Sequence, residues 1–281
     1  FEPALTRERG EASEIARREA ARGRALIVAC GGDGTIHEVA NGILESGRDA
    51  ELGVLPSGTG GDFRRTLEAP TRTADAARRL REGRARRMDA GRVTYTNGAG
   101  EEETRFFLNV ASFGMGGEVI RRVKEGAASA LLAGGGVGAL GGKLTFALAA
   151  LRATLAFEKP SARISLDGGA EFRLTVANFC VANARYFGGG MKIAPRARLD
   201  DGLLDVVAIG DMSAARILAN SYRVYLGTHL GMEQVGHALA RRVAARPIDD
   251  EEVKLEVDGE LVGRLPATFE VLPGALRVRC A

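Results

Sequence analysis

The sequence predicts an α/β domain with a parallel sheet over residues 1–90. A mainly antiparallel β domain, sandwich or barrel-like, with inserted helices follows over 91–266. Three observations carry that prediction. Short apolar runs alternate with helix-spaced apolar residues as far as Asp89, which is the signature of βαβ units. Two of those runs lead straight into glycine-rich loops, at Gly31 and at Gly58. Beyond Gly91 the runs shorten and are separated by Asn97-Gly98, Asp167-Gly168-Gly169 and Asp258-Gly259, all hairpin-turn pairs.

Glu11 to Arg22 reads as an exposed helix, with Ile15, Ala16 and Ala20 inward and Arg/Glu pairs outward. Leu26-Ile27-Val28-Ala29 has the length and β-branched content of a buried strand. After Gly31-Gly32-Asp33-Gly34-Thr35, the residues Ile36, Val39, Ala40, Ile43 and Leu44 fall on one helix face. A second strand, Leu52 to Leu55, runs into Pro56-Ser57-Gly58-Thr59-Gly60-Gly61-Asp62-Phe63. A helix over Ala74 to Arg81 then leads through the basic stretch Arg84 to Arg87 to Met88-Asp89. Parallel sheets bind ligands at the carboxyl ends of their strands. Asp33, Asp62 and Asp89 each follow a strand at that edge, so the pattern predicts that the three carboxylates converge.

In the second half, Val93 to Thr96 pairs with Thr104 to Val110, and Ile164 to Leu166 with Phe172 to Val181. Leu203 to Ile209, Val253 to Val257 and Leu261 to Leu265 add strands. Leu144, Leu148, Leu151 and Leu155 form one helical apolar stripe, and Ala214 to Leu226 carries another. The run Gly126 to Gly142 holds seven glycines and reads as a loose cover rather than core.

Composition narrows the class. The 281 residues are 45% hydrophobic and 27% charged, the balance of a globular protein. A net charge of +3 from 39 basic and 36 acidic residues does not call for nucleic acid. Cys30, Cys180 and Cys280 lack zinc spacing and read as reduced core thiols of a cytoplasmic protein. Phe1 to Arg24 is polar and carries no signal peptide pattern. The glycines of 126–142 argue against a spanning helix of roughly 20 apolar residues, so any membrane contact is peripheral. The chain opens without methionine, and a piece upstream is expected.

The chemistry resides in the loops. Glycine lets backbone approach a ligand closely, and the free N–H groups of a helix's first turn attract anions. A carboxylate amid such a site suggests a cation beside the anion, such as Mg²⁺ on a nucleotide. The plainer alternative is a tight turn with Asp33 and Thr35 as capping residues. Two such loops and three carboxylates fit nucleotide phosphate with Mg²⁺. The Rossmann G-x-G-x-x-G and the Walker lysine are both absent. His37, His229 and His237 lack metal or triad spacing and read as structural or surface residues.

Gly31-Gly32-Asp33-Gly34-Thr35 followed by Gly58-Thr59-Gly60-Gly61-Asp62-Phe63 resembles the diacylglycerol kinase catalytic domain family. That family takes in bacterial diacylglycerol and related lipid kinases and the sphingosine and ceramide kinases. The likeness continues through Asn183 with Tyr186-Phe187-Gly188-Gly189-Gly190-Met191, through Pro195 with Leu199-Asp200-Asp201-Gly202-Leu203-Leu204-Asp205, and through Val257-Asp258-Gly259-Glu260. It spans nearly the whole chain in order. The resemblance implies an α/β nucleotide-binding domain, then a β-sandwich, with ATP in the cleft between them. It also implies that 267–281 returns to the first domain.

By the same resemblance, Thr6, Gly31, Gly32, Asp33, Gly34, Thr35, Ile36, His37, Glu38, Ser57, Gly58 and Thr59 contact ATP. Asp33, Asp62 and Asp89 hold the catalytic Mg²⁺, in part through water. Asp201, with main-chain oxygens of Arg198 and Leu203, holds a structural Mg²⁺, and Glu260 is the base. The implied reaction moves the ATP γ-phosphate to a hydroxyl of a diacylglycerol-like or sphingoid-like lipid. It takes place at a transient peripheral membrane contact, with acyl chains beside the Leu144 to Leu155 stripe. Oligomeric state is left open, a homodimer included. Two departures stand out: Gly61 occupies the place of the family's usual Asn, and the family's opening strand is missing before Phe1. The competing readings are an NAD kinase, which shares the first loop, and a nucleotide- or lipid-binding module without catalysis.

Overall fold

The computed structural model describes residues 2–58, 60–116, 159–248 and 251–280. The stripe Leu144 to Leu155, the run Gly126 to Gly142 and Thr59 lie outside them. In the first half, α1 (Glu11–Ala21), β1 (Leu26–Gly31), α2 (Asp33–Glu45), β2 (Glu51–Pro56), the short α3 (Asp62–Thr66) and α4 (Thr73–Glu82) follow one another. β1 and β2 pair in parallel, Leu26 opposite Glu51 through Gly31 opposite Pro56. Ile36, Val39, Ala40 and Ile43 of α2 are buried, with Leu52, Val54 and Phe63, in the core of this half.

The second half begins inside a strand. β3 (Arg84–Asn97) runs through the boundary expected at residue 90 and pairs antiparallel with β13 (Glu260–Cys280) over most of both lengths. The far end of β13 returns to the first half, where Arg277, Val278 and Arg279 lie parallel to Glu51, Leu52 and Gly53. Buried Glu51 fixes that return, with one oxygen 2.6 Å from Arg277 and the other 2.6 Å from Arg279. The sheet of the first half is therefore mixed rather than wholly parallel: β1, β2 and the tail of β13 run together, and β3 runs against them.

The other strands are β4 (Glu102–Phe107), β5 (Val110–Gly114), β6 (Ser161–Leu166), β7 (Phe172–Thr175), β8 (Asn178–Ala182), β9 (Leu204–Ile209), β10 (Val235–Ala240), β11 (Arg242–Pro247) and β12 (Lys254–Val257). Helix α5 (Ala214–Leu226) interrupts them. Among the described residues all of these strands but β4, which pairs with β3, join β13 in one antiparallel path, β10-β9-β8-β5-β12-β13-β11-β6-β7. Side chains from both ends of that path, Ala240 of β10 and Leu174 of β7, meet in one core with Phe107, Phe113, Phe179 and Phe269. A sheet whose two ends share a core must curl around it. Among the described residues no helix is long and apolar enough to cross a membrane.

The strand expected over Thr104 to Val110 is broken in two at Leu108-Asn109, and the cause is one buried side chain. The main-chain N–H groups of Leu108, Asn109 and Val110 all donate to the Asp258 carboxylate, at 2.8, 2.9 and 3.0 Å. The fourth donor is His37 of α2, whose Nδ1 lies 2.9 Å from Asp258 Oδ2. Nearby, Asn41 of α2 donates to the Phe106 carbonyl and accepts from the Phe106 N–H. Two side-chain links thus bind α2 to the β4–β5 corner and the Asp258 turn. Burial works to lower the pKa of His37. The hydrogen bond and charge of Asp258, with the charge of Glu260, outweigh burial and the opposing Arg105 and raise it.

Asp258→Ala strands four buried donors and is expected to cost about 3–5 kcal/mol in urea unfolding. A loss below about 1 kcal/mol, the value of one ordinary hydrogen bond, would contradict this role. Because the pKa of His37 is raised on folding, its contribution is full below about pH 6.5 and fades as pH climbs through the folded value. The stability difference between wild type and His37→Gln is therefore expected to shrink with rising pH, and a difference that grows would contradict the assignment.

Candidate active site

The two glycine loops press against each other. Ser57 N–H donates to the Gly31 carbonyl at 3.0 Å, and a side chain at Gly58 would collide with the Gly32 backbone. A methyl group on Gly60 would sit 2.7 Å from Asp33 Oδ2, and one on Gly31 would collide with Thr35. Glycine is required here first by this close approach of chain to chain. The N-terminus of α2 has no side-chain cap, so its first-turn N–H groups are offered at the loop surface. Gly34 is exposed there, with open space where a side chain would stand.

Asp33 caps a different helix from its own. Its Oδ2 accepts from Asp62 N–H at 3.0 Å and its Oδ1 from Phe63 N–H at 3.1 Å, the first turn of α3. Asp62 is buried and in turn accepts from Gly189 N–H at 2.8 Å and from Arg65 at 2.9 Å. Burial is the largest influence on Asp62 and raises its pKa; the charge of Asp33 adds to this, while the N–H groups of Gly189 and Gly190 and the charge of Arg65 oppose it. Gly188, Gly189 and Gly190 all have positive φ, at 59°, 84° and 113°, so the glycine triplet is a tight turn presenting an N–H to Asp62. Gly61 has φ +67°, a left-handed conformation that Gly takes freely and Asn tolerates better than most residues. Gly at the place of the family's Asn thus leaves the backbone path unstrained.

Asp89 has donors of its own, different from those of Asp33 and Asp62. Its buried carboxylate accepts from Gly202 N–H and Gly274 N–H, both at 2.7 Å, and its main chain is held by Asn183 and by the Leu199 carbonyl. Among the described residues no group of three or more His, Cys, Asp or Glu side chains could hold a metal. The β3–β13 ribbon carries Asp89 toward the 199–203 turn. There Asp89 and exposed Asp201 line one depression of about 730 Å³ with Gly202, Pro273 and Gly274. Asp201 Oδ1 accepts from Leu203 N–H at 3.2 Å, and Arg198 pairs with Asp200 at 3.3 Å.

Other residues of the expected nucleotide site have partners within the chain or lie at its surface. Glu38 accepts from Ala12 N–H at 3.2 Å and so caps α1. The His37 imidazole is given to Asp258, and Ile36 is buried in the core. Thr6 is exposed ahead of α1. Cys30, expected in the core, is exposed. Glu260 is a quarter exposed, 2.8 Å from Arg9 and 3.7 Å from Arg105, and its charge is felt by His37. The turn that begins the long β13 therefore carries a carboxylate from the second half whose charge reaches His37 in the second turn of α2. Sequence reasoning missed Arg9, Arg65 and Arg105 because isolated arginines carry no spacing signal.

Residues 1–93 match the family described as diacylglycerol kinase catalytic domain, and residues 127–280 that described as YegS C-terminal NAD kinase beta sandwich-like domain. The chain is 34% identical over 284 residues to the probable lipid kinase YegS-like of Pseudomonas aeruginosa, covering 98% of this chain and 82% of that protein. It is 30% identical over 261 residues to the diacylglycerol kinase of Bacillus subtilis, covering 92% and 79%. The fold is like that of a diacylglycerol kinase from Bacillus anthracis, with TM-score 0.69 and 21% identity, covering 98% of this chain and 83% of that one. Yeast NADH kinase complexed with NADH shares the fold more distantly, with TM-score 0.51 and 12% identity over 90% of this chain and 60% of that one.

Asp33→Ala tests the capping geometry. Losing both acceptors is expected to lower stability by about 0.5–2 kcal/mol in metal-free urea titrations. If Asp33 served only to hold a cation, removing its charge from beside Asp62 would leave stability unchanged or raise it.

Proposed function

The chain belongs to the family of diacylglycerol kinases and YegS-like lipid kinases. We propose that it transfers the γ-phosphate of ATP to a hydroxyl of a diacylglycerol-like or sphingoid-like lipid. The observation that carries this reading is the Asp258–His37 contact, which ties the turn bearing Glu260 to the second turn of α2, where the charge of Glu260 acts on His37.

Phosphoryl transfer has a loose transition state and depends on positioning and charge neutralisation. The first-turn N–H groups of α2 and the backbone of the Gly58 loop would receive the phosphates. Arg65, fixed by Asp62 and by the Gly60 carbonyl, would place a guanidinium at the edge of the same loop. Glu260 would take the proton of the acceptor hydroxyl as its oxygen bonds to the γ-phosphorus, while the electrons of the β–γ bridging bond leave with ADP. Arg9 and Arg105 orient that carboxylate.

The donor set fits a magnesium ion in part. Asp33 and Asp62 offer hard oxygens, and the burial that raises the pKa of Asp62 is a load that a cation would relieve. Those two residues would hold it, and it would neutralise charge on the phosphate oxygens. Asp89 and Asp201, with the main chain of Arg198 and Leu203, would form a separate cation site of structural character.

Glu260→Gln is expected to lower kcat for lipid phosphorylation by about 10²–10⁴ with the fold intact, measured with labelled ATP over a panel of lipids and NAD. Wild-type turnover in Glu260→Ala would remove the base assignment, and phosphorylation of NAD instead of lipid would overturn the reading.

A further inference from the structure

Helix α5 has two apolar faces. Val224 packs on a core cluster with Ile193, Val207 and Val235. On the outer face Tyr222, Tyr225 and Leu226 are 53%, 53% and 65% exposed, at the i, i+3, i+4 spacing that gathers side chains on one side of a helix. Three large apolar side chains within five residues are a patch rather than the scattered exposure ordinary on protein surfaces.

The surroundings of the patch are basic. No acidic residue occurs in Ala214–Leu226. Arg216 is exposed, and the Arg223 guanidinium lies 5.8 Å from the Tyr222 ring centre. Lys192 runs beside the helix end at Gly227, with its ammonium 6.0 Å from the Tyr186 ring centre. Tyrosine, with an apolar body and a polar tip, flanked by long cationic side chains is the composition of a segment seated at a membrane interface.

We propose that this face of α5 docks the protein on an anionic lipid bilayer. Tyr222, Tyr225 and Leu226 enter the interfacial layer, and Arg216, Arg223 and Lys192 meet the headgroups. The occupant follows from charge complementarity and from the lipid-kinase reading, on which the inference rests, because the acceptor of that reaction resides in a bilayer. A short path ties this face to the phosphate loops. Lys192 N–H donates to the Val224 carbonyl at 3.0 Å, three residues beyond Gly189, whose N–H binds Asp62.

The chain contains no tryptophan, so Tyr225→Trp supplies a clean fluorescent reporter. Its emission is expected to shift to the blue on adding equimolar phosphatidylcholine/phosphatidylglycerol vesicles, and less with phosphatidylcholine alone. The combined Tyr222→Ser, Tyr225→Ser, Leu226→Ser variant is expected to lose at least tenfold in sedimentation with the mixed vesicles. It should keep wild-type turnover of a short-chain soluble diacylglycerol. Lost sedimentation with no lipid phosphorylation by any form would support docking while removing the kinase reading. Wild-type sedimentation by the triple variant, or an unshifted reporter, would overturn the proposal. So would a wild-type dimer that the triple substitution splits without changing vesicle binding, which would give the face to a second copy.

Discussion

One buried carboxylate organises the junction of this protein. A carboxylate removed from water is costly unless its oxygens are filled with donors, and Asp258 is filled by three consecutive main-chain N–H groups and an imidazole. Each donor belongs to something that must be positioned. The three amides turn the chain from β4 into β5, and the imidazole holds the first turns of α2. Glu260 begins two residues later, so its placement follows from a contact it does not make. Because β13 is continuous from that turn to its pairing with β2, the two halves are fixed at both ends of one strand.

The glycine loops obey a similar economy. Gly31, Gly58 and Gly60 are excluded from bearing side chains by neighbouring chain as much as by any ligand. Asp33 and Asp62 each receive main-chain N–H groups while leaving further lone pairs on hard oxygens. A residue can thus serve the fold and the reaction together, so the plain capping reading and the phosphate reading of this corner are not exclusive. What the structure changes is the helix being capped: Asp33 stabilises α3, not its own α2.

Much of the architecture was legible because the signals were local. Apolar periodicity located α2, β1, β2 and α4 to within a residue or two, and Asp258-Gly259 marked a real turn between β12 and β13. The misses were non-local. β10 and β11 run through Ala- and Arg-rich sequence whose alternation is weak, and only pairing with β9, β6 and β13 makes them strands. The short helix α3 exists because Asp33 caps it from another loop. Asp89 follows a strand at the expected place in sequence, but its strand pairs antiparallel with β13, and it faces Gly202 and Gly274. His37 sits inside a phosphate-loop motif, and its side chain is nonetheless taken by a turn 221 residues away.

The central claim is that the Asp258–His37 contact delivers Glu260 to the phosphate loops. A kinetic cycle tests it most directly: kcat for lipid phosphorylation with His37→Asn, in the wild-type background and again in Glu260→Gln. If the contact acts through Glu260, His37→Asn lowers kcat at least tenfold in wild type and has little further effect once Glu260 is gone. Equal losses in both backgrounds would show that the contact and the carboxylate act independently, and the account would fail.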